Sequence, residues 1–216
     1  MLVVTLDHRD YRKQGQLYVI NLYRACKKHI TVPFEFIVFS DRMGYGDGIK
    51  TVETSDQAWG WWNKLYIVGG DRLRKGERAL FFDLDTLILA NIDDLASYTG
   101  PFAGLGCARS NRLFSSGILA FETGAQPHVW QSWLKAGKPL VGNGDDEWMD
   151  KQMPHARRLQ PMFPGILQYK YHRQRERPSP EARVIYFTRE PKPDNCGGWA
   201  QAYWSTLEMK KEQHAS

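Results

Sequence analysis

The stretch RALFFDLDTLIL, Arg78 to Leu89, carries two aspartates one residue apart between two apolar runs. Side chains alternate between the two faces of an extended strand, so Asp83 and Asp85 are predicted to project from one face, with Leu84 on the other. Two carboxylates held this close repel each other unless positive charge lies between them. The pattern therefore predicts that Asp83 and Asp85 hold a divalent cation.

The segments before this stretch alternate between strand and helix patterns. Short apolar runs rich in β-branched and aromatic residues predict strands, and apolar residues at helical spacing predict helices. The predicted order is strand Leu2–Leu6, helix Gln16–Lys28, strand Phe34–Ser40, helix Trp61–Gly69 and the strand that begins at Arg78. This order predicts an α/β fold with a mostly parallel central sheet and helices on both faces. Ligands bind beyond the carboxyl ends of such strands, where the acidic pair lies.

The second half of the sequence has a more mixed pattern. It predicts strands at 115–122 and 182–187, helices at 127–137 and 145–153, and a polar, frayed tail at 207–216. There is no internal repeat and no long linker, so the 216 residues are expected to form one domain.

Composition and charge narrow the class of protein. The chain is 42% hydrophobic and 13% aromatic, which is typical of a globular domain. Its net charge of +5 indicates affinity for anions such as nucleotide phosphates, nucleic acid or an acidic glycan, with a solvated basic surface as the alternative. No run of 18 apolar residues occurs, so no membrane span is expected.

Cysteine usage and the first residues predict the compartment. Cys26, Cys107 and Cys196 are far apart and form neither a C-x-x-C pair nor a zinc-binding spacing with histidine, so free thiols in a reducing compartment are expected. The start MLVVTLD does not have the pattern of a secretion signal. Together these features predict a cytoplasmic protein.

Several enzyme chemistries compete for an acidic pair that follows an apolar strand. A phosphatase of the haloacid dehalogenase type has D-x-D-x-T with the first aspartate as nucleophile, but here Thr86 comes one position too early and the motif is not at the first strand. Dinucleotide-binding and P-loop enzymes need glycine-rich loops that this sequence lacks. A nucleotide-sugar transferase, whose two acids hold Mn²⁺ or Mg²⁺ against a diphosphate, fits best. A solvated acidic pair with a purely structural role is the remaining alternative.

Several blocks of the sequence resemble, in their order and spacing, a group of bacterial and phage glycosyltransferases similar to glycosyltransferase family 8. The blocks are YVINLYRACKKH, PFEFIVFSD, GWWNKLYIV, RALFFDLDTLIL, SSGILAFETG, GDDEWMD, GILQYK and VIYFTREPKP. The resemblance implies the GT-A fold, a Rossmann-like architecture with a donor-binding half at about 1–100 and an acceptor-side half at about 101–200. It also implies a UDP-sugar donor and Mn²⁺ or Mg²⁺ as the metal ion.

The resemblance also implies roles for individual residues. The residues that match the family's donor site are Tyr11, Lys64, Asp83, Ser116, Gly117 and Lys192. Tyr11 matches an aromatic residue that stacks on uracil, and Lys192 matches the lysine that binds the diphosphate. Asp83 and Asp85 match the metal-binding pair, with Asp83 also near the donor ribose.

The sequence departs from the family where a histidine usually completes the metal site. The family's F-H-G-x-P-K-P is here FTREPKP, so Thr188 replaces the histidine and Arg189 the glycine. A threonine hydroxyl is a weaker metal ligand than imidazole. The alternatives are weaker metal binding, a recruited water, partial replacement by the Arg189 guanidinium at the diphosphate, or His172 as a ligand. A nucleotide-sugar-binding protein without turnover is therefore a second hypothesis.

The block GDDEW supplies the candidate catalytic carboxylates. Glycosyl transfer needs a carboxylate near the anomeric carbon, and Asp145 and Asp146 are the candidates. Asp145 matches the family's G-D-Q block, whereas Asp146 replaces its glutamine. The resemblance implies retention of configuration, and the second aspartate leaves an inverting variant open. Simple capping of a helix N-terminus is the structural alternative.

The acceptor is predicted only as a class. The basic region 155–177 includes interleaved tyrosines, and its candidate acceptor-binding residues are His172, Arg173 and Arg175. Such a region suits an acidic acceptor, including a polynucleotide such as DNA that carries a modified base, and a saccharide or other small acceptor is the other hypothesis. A solvated basic loop is the alternative.

Overall fold

The structure, a computed structural model, describes residues 1–107, 110–140, 142–170 and 176–208. Its strands are β1 (Leu2–Asp7), β2 (Glu35–Ser40), β3 (Ile49–Glu53), β4 (Arg78–Phe82), β5 (Thr86–Ile88), β6 (Ala103–Cys107), β7 (Ser110–Glu122), β8 (Arg157–Arg158), β9 (Ile166–Gln168) and β10 (Val184–Tyr186). Its helices are α1 (Gly15–His29), α2 (Asn63–Gly69), α3 (Asp93–Ala96), α4 (Pro127–Lys135), α5 (Asp145–Gln152), α6 (Leu159–Met162) and α7 (Gly198–Glu208), with 3₁₀ turns at Tyr11–Lys13 and Gly60–Trp62.

The central sheet has the order β3-β2-β1-β4-β7-β6-β8. Strands β3, β2, β1 and β4 run parallel to one another, whereas β7 runs antiparallel to both β4 and β6. Alternate residues of β1 enter different cores: Val3 packs in the cluster that includes α1, and Val4 packs in the cluster that includes α2 and α4. The predicted α/β fold, with a mostly parallel sheet and helices on both faces, is confirmed.

A second, small sheet brings the C-terminal region beside the acidic stretch. Its order is β5-β10-β9, and Tyr186 of β10 pairs antiparallel with Thr86 of β5. Because β5 begins immediately after Asp85, this register directs the chain that leaves β10 back past the acidic residues. The segment from Thr188 to Lys192 therefore lies near the carboxyl ends of β1 and β4.

Several local predictions need correction. The sequence pattern missed β3, β6 and α7, which pack into the sheet or, for α7, against α1. The helix predicted at Trp61–Gly69 begins at Asn63, and Trp61 lies in the 3₁₀ turn before it and is half-exposed. Within the described residues, no helix combines the length and the apolar character needed to cross a membrane. Cys26 and Cys196 are free thiols.

Candidate active site

The acidic pair lies in a turn that follows a buried strand. Strand β4 ends at Phe82, and Asp83, Leu84 and Asp85 connect it to β5. The Thr86 amide donates to the Asp83 carbonyl over 3.2 Å and closes the turn. The prediction that Asp83 and Asp85 lie on an extended strand is therefore wrong, because the two residues lie in a turn. Their carboxylates also have different partners.

Lys64 of α2 is the centre of the first group of partners. Its ammonium lies 2.7 Å from Asp83 Oδ1 and 3.8 Å from Asp145 Oδ2. It also donates to Ser116 Oγ over 3.1 Å. The Lys64 side chain is buried, so one largely desolvated cation connects α2, the acidic turn, β7 and α5.

Ser116 connects the two candidate catalytic aspartates to the sheet. Its hydroxyl donates to Asp145 Oδ2 over 2.5 Å, and its backbone amide donates to Asp146 Oδ1 over 2.7 Å. Gly144 is the N-cap of α5, which has no side-chain cap. The capping interpretation is therefore wrong, because both carboxylates are held by β7 instead.

Gly117 of β7 binds the acidic turn through its backbone. Its carbonyl accepts the Asp83 amide over 2.8 Å, and a Cβ added at Gly117 would lie 3.4 Å from Asp83 Oδ2. The structure thus brings Lys64, Asp83, Ser116, Gly117, Asp145 and Asp146 into one cluster, which we call the carboxylate network.

Burial controls the electrostatics of this network. Burial raises the pKa of Asp145 to about 6, although Lys64 opposes the shift. Burial also raises the pKa of Asp83 to about 7, with Lys64 lowering and Asp85 raising it. The Asp83 side chain is 36% exposed and that of Asp145 only 7%, so water screens the charge of Asp83 more. The burial that raises the pKa is therefore more complete at Asp145. Burial lowers the pKa of Lys64, but Asp83, Asp145 and Asp146 outweigh it, so the net shift is upward.

Asp85 has a separate set of partners. Its carboxylate pairs with the Lys192 ammonium and accepts the Tyr11 hydroxyl over 3.2 Å. Burial, and then the Asp85 charge, raise the pKa of Tyr11, so Tyr11 remains a neutral donor. Tyr11, Asp85 and Lys192, three residues far apart in the sequence, therefore meet beside the carboxylate network.

A group of ion pairs and hydrogen bonds between the segments of Tyr11 and Lys192, which we call the clasp, was not predicted from the sequence. The Arg12 guanidinium pairs with Glu190 and, over 3.3 Å, with Asp194, the two acids that flank Lys192. Tyr18 also donates to Asp194 over 2.6 Å. No local motif signals these contacts. The residues with left-handed φ on the two sides of the clasp are Arg9, Asp10, Arg12, Lys13 and Arg189. Strained backbone of this kind concentrates at functional sites.

Neither Thr188 nor Arg189 forms a hydrogen bond or ion pair with Asp83 or Asp85 among the described residues. The Thr188 hydroxyl accepts a hydrogen bond from Gln168. Arg189 is exposed and has a φ of 60°, a conformation that favours the glycine of the family pattern.

The acidic turn fits a divalent cation by the chemistry of its donor set. Asp83 and Asp85 offer carboxylate oxygens, which Mg²⁺ and Mn²⁺ prefer, and the Lys192 ammonium already pairs with one of them. In the described parts of the chain, no third His, Cys, Asp or Glu joins them in a metal-binding group. A cation bound by these two carboxylates would need water or ligand oxygens to complete its coordination.

The predicted acceptor residues His172, Arg173 and Arg175 lie outside the described residues. Elsewhere in the basic region, Arg158 pairs with Asp150 over 3.2 Å and lies 5.3 Å from the Phe114 ring centroid. Two surface cavities, of about 520 and 600 Å³, share no residue with the carboxylate network.

Replacement of Gly144 by alanine is expected to destabilise the protein by about 1–3 kcal/mol, because its φ of 69° and ψ of −145° disfavour a side chain. The new Cβ would also lie 2.8 Å from Trp61 Nε1. Urea unfolding measures the loss. Gly137→Ala is the matched control, since Gly137 has a φ of 80° but no neighbour within 4 Å. Equal losses in the two variants would contradict a tight Trp61 contact.

The fold is the GT-A fold of glycosyltransferases, and solved structures match it over nearly the whole chain. The galactosyltransferase LgtC, solved with donor and acceptor sugar analogues, has a TM-score of 0.70 at 11% identity, with 96% of this chain and 95% of that chain covered. The apo form of the glycosyltransferase GlyE of Streptococcus pneumoniae TIGR4 has a TM-score of 0.72 at 12% identity, over 96% of this chain and 60% of that one.

The bifunctional glycosyltransferase WbbM matches with a TM-score of 0.69 at 13% identity, over 96% of this chain and 49% of that chain. No protein-family model and no curated protein sequence matches the chain. At these identities the comparisons show a common fold.

Proposed function

We propose that this chain is a metal-dependent glycosyltransferase of one domain that transfers a sugar from a UDP-sugar to an acceptor, with retention of configuration. We further propose that it is related to glycosyltransferase family 8 and that Asp83-Leu84-Asp85 is its D-x-D motif. The haloacid dehalogenase alternative has no support from the fold, which matches that of the glycosyltransferases LgtC and GlyE.

One observation carries the proposal. The carboxylate network and the Asp85–Lys192 pair lie together where β1 and β4 end, although their residues come from distant parts of the chain. A purely structural acidic pair needs one counter-ion. Here two lysines and four aspartates lie together, and the pKa values of Asp83 and Asp145 are raised. Such a cluster is typical of a site that binds a charged ligand.

The residues divide the chemistry of sugar transfer between them. Asp83 and Asp85 would hold Mn²⁺ or Mg²⁺, which supplies positive charge to the leaving diphosphate. Lys192 is suited to the same diphosphate, since its ammonium ends beside Asp85. Tyr11 offers an aromatic ring near that position for the uracil, and Arg189 offers an exposed guanidinium.

The sugar end of the donor is assigned to the carboxylate network. Asp145 and Asp146 are the candidates for the carboxylate near the anomeric carbon, and Ser116 holds both of them in place. Lys64 limits the charge repulsion among these groups. Because the Ser116 hydroxyl and amide both point at carboxylates, the two aspartates are pre-oriented before a substrate binds.

The test is calorimetric titration of UDP and UDP-glucose with and without Mn²⁺, followed by mass spectrometry of UDP release. Binding of UDP that requires the metal, with slow hydrolysis of UDP-glucose, supports the proposal. Other nucleotides in the same cell test the choice of base. Absence of binding with every donor at millimolar Mn²⁺ contradicts it.

Thr188→His tests whether the metal site extends to the family's histidine position. An imidazole ligand is expected to raise Mn²⁺ affinity by at least about tenfold, the range by which metal-site partners change affinity. Thr188→Val is the control, since it also removes the hydroxyl that accepts from Gln168 but adds no ligand. Equal Mn²⁺ affinity in both variants, by electron paramagnetic resonance, would place residue 188 outside the metal site.

The same variant separates an active enzyme from a binding protein that has lost turnover. If the wild type binds UDP-glucose without hydrolysing it and Thr188→His hydrolyses it, the threonine accounts for the lost activity. If the wild type and Thr188→His both hydrolyse UDP-glucose, the hypothesis of a protein without turnover is wrong.

A further inference from the structure

Two tryptophans are exposed beside the candidate active site. Trp59 and Trp61 are 52% and 51% exposed, and their rings meet edge to face with centroids 5.6 Å apart. Indole is among the largest apolar side chains, and exposed apolar patches on soluble domains usually mark binding sites. Most other tryptophans of the described chain lie in the cores, so this pair stands out.

The loop that carries the two tryptophans is fixed by contacts of Asn63 and Trp62 with the protein interior. The Asn63 side chain is fully buried, and its amide donates to the carbonyls of Ala58 and Gly60 over 3.2 Å each. Asn63 also accepts the Ser55 amide over 2.9 Å. Trp62, between the exposed rings and α2, stacks on Trp133 with centroids 5.3 Å apart and planes 15° apart. The two exposed rings are therefore presented by a fixed scaffold, which lowers the entropic cost of ligand binding.

The position of the pair links it to the candidate catalytic groups. Trp61 lies three residues before Lys64, and its Nε1 approaches Gly144, the residue before Asp145. On the other side, the Arg9 guanidinium lies 6.0 Å from the Trp59 ring centroid. The rings thus lie at the edge of the carboxylate network, to which the sugar end of the donor is assigned.

The charges around the rings favour a neutral ligand. The flanking segments 55–61 and 142–147 contain the acids Asp56, Asp146 and Glu147 and no lysine or arginine. The Arg9 guanidinium near Trp59 adds one cation. Polynucleotide binding depends on several cations at successive phosphates, and one guanidinium among these acids does not provide them. A sugar ring has an apolar C–H face that suits the negative face of an indole, and its hydroxyls suit carboxylate acceptors.

We propose that Trp59 and Trp61 form an aromatic platform for a sugar ring of a neutral saccharide acceptor. The inference rests on the proposed transferase function. It names the class of acceptor, which neither the fold nor the donor site defines.

The test uses lactose, maltose and cellobiose as probes, with saturation-transfer NMR on the whole protein, with and without UDP and Mn²⁺. Trp61→Ala and Trp59→Ala remove the platform, and Trp61→Phe restores an aromatic face. Met43→Ala is the control, since Met43 is 80% exposed on a different loop. Thermal unfolding checks that every variant is folded. The ratio of transfer to UDP-glucose hydrolysis is then measured with the disaccharide that binds best.

The platform predicts signals from the C–H protons of one face of at least one disaccharide. Trp61→Ala should reduce its affinity and the transfer-to-hydrolysis ratio at least tenfold, Trp61→Phe should recover part of both, and Met43→Ala should leave both unchanged. Binding that is indifferent to both tryptophans, or absence of binding by all three disaccharides, overturns the inference. Tryptophan-dependent binding of a single-stranded oligonucleotide in place of the sugars also overturns it.

These outcomes are separable from failure of the proposed function. A wild type that binds UDP but no disaccharide refutes only the platform. A wild type that binds a disaccharide through Trp61 but no nucleotide refutes the transferase proposal and leaves the platform as a lectin-like site.

Discussion

Asp85→Asn is expected to abolish the metal dependence of UDP binding and to lower sugar transfer about 100- to 1,000-fold, the range for loss of one group that stabilises transition-state charge. The amide keeps the shape of the buried side chain but removes its charge. Metal affinity falls, because a carboxylate oxygen is a much better ligand for Mn²⁺ than an amide oxygen. Lys192, released from its partner, remains available to the diphosphate. Metal-free UDP binding should therefore persist.

Calorimetry with and without Mn²⁺ measures this effect, and mass spectrometry measures transfer. Asp47→Asn is the matched control, because Asp47 is exposed on the loop between β2 and β3 and lies outside the carboxylate network. Its metal dependence should equal that of the wild type. An Asp85→Asn variant that retains full Mn²⁺-dependent binding would show that Asp85 is only the counter-ion of Lys192.

Lys64→Met is expected to destabilise the metal-free protein by about 3–5 kcal/mol at pH 8, the cost of breaking a buried ion pair. Methionine fills a similar volume but leaves Asp83 and Asp145 without their cation. Lys151→Met is the control. Its exposed pair with Glu147 joins residues i and i+4, so the expected loss is at most about 0.5 kcal/mol.

The loss in Lys64→Met should depend on pH in a defined direction. Burial already raises the folded-state pKa of Asp145 to about 6 and that of Asp83 to about 7, above the unfolded value of about 3.9. Between these values the folded chain binds more protons than the unfolded chain, so the free energy of unfolding falls as pH rises. Loss of Lys64 raises both pKa values further, and the deficit should be smaller at pH 5 than at pH 8.

Urea unfolding in EDTA at the two pH values checks this result. A deficit that is the same at pH 5 and pH 8 would mean that the carboxylates find another cation when Lys64 is removed. A deficit equal to that of Lys151→Met would mean that the network contributes nothing to stability.

The elements with strong local patterns were predictable from the sequence. The β-branched run of β1 and the helical spacing of apolar residues in α1 indicate buried elements, because these apolar side chains pack against the core. Strand β3 was missed because its residues are only partly buried at the sheet edge. Helix α7 does have buried residues at helical spacing, Ala200, Trp204 and Leu207, so this pattern was available in the sequence and was overlooked. The resemblance to glycosyltransferases named the site residues that the structure brings together, from Lys64 to Lys192.

The sequence alone was enough for the layered α/β architecture and for the residue types of the site, since hydrophobic periodicity and short motifs are local properties. The pairing of those residues was decided only by the tertiary structure. The contacts of Lys64 with Asp83, Lys192 with Asp85 and Arg12 with Asp194 span 19, 107 and 182 residues. The choice of partner for each charged side chain depends on the sheet order and on the β5–β10 register. No local sequence pattern encodes either of these. The exposed tryptophans follow the same rule, because only the packed Trp62 and Asn63 determine that Trp59 and Trp61 face outward.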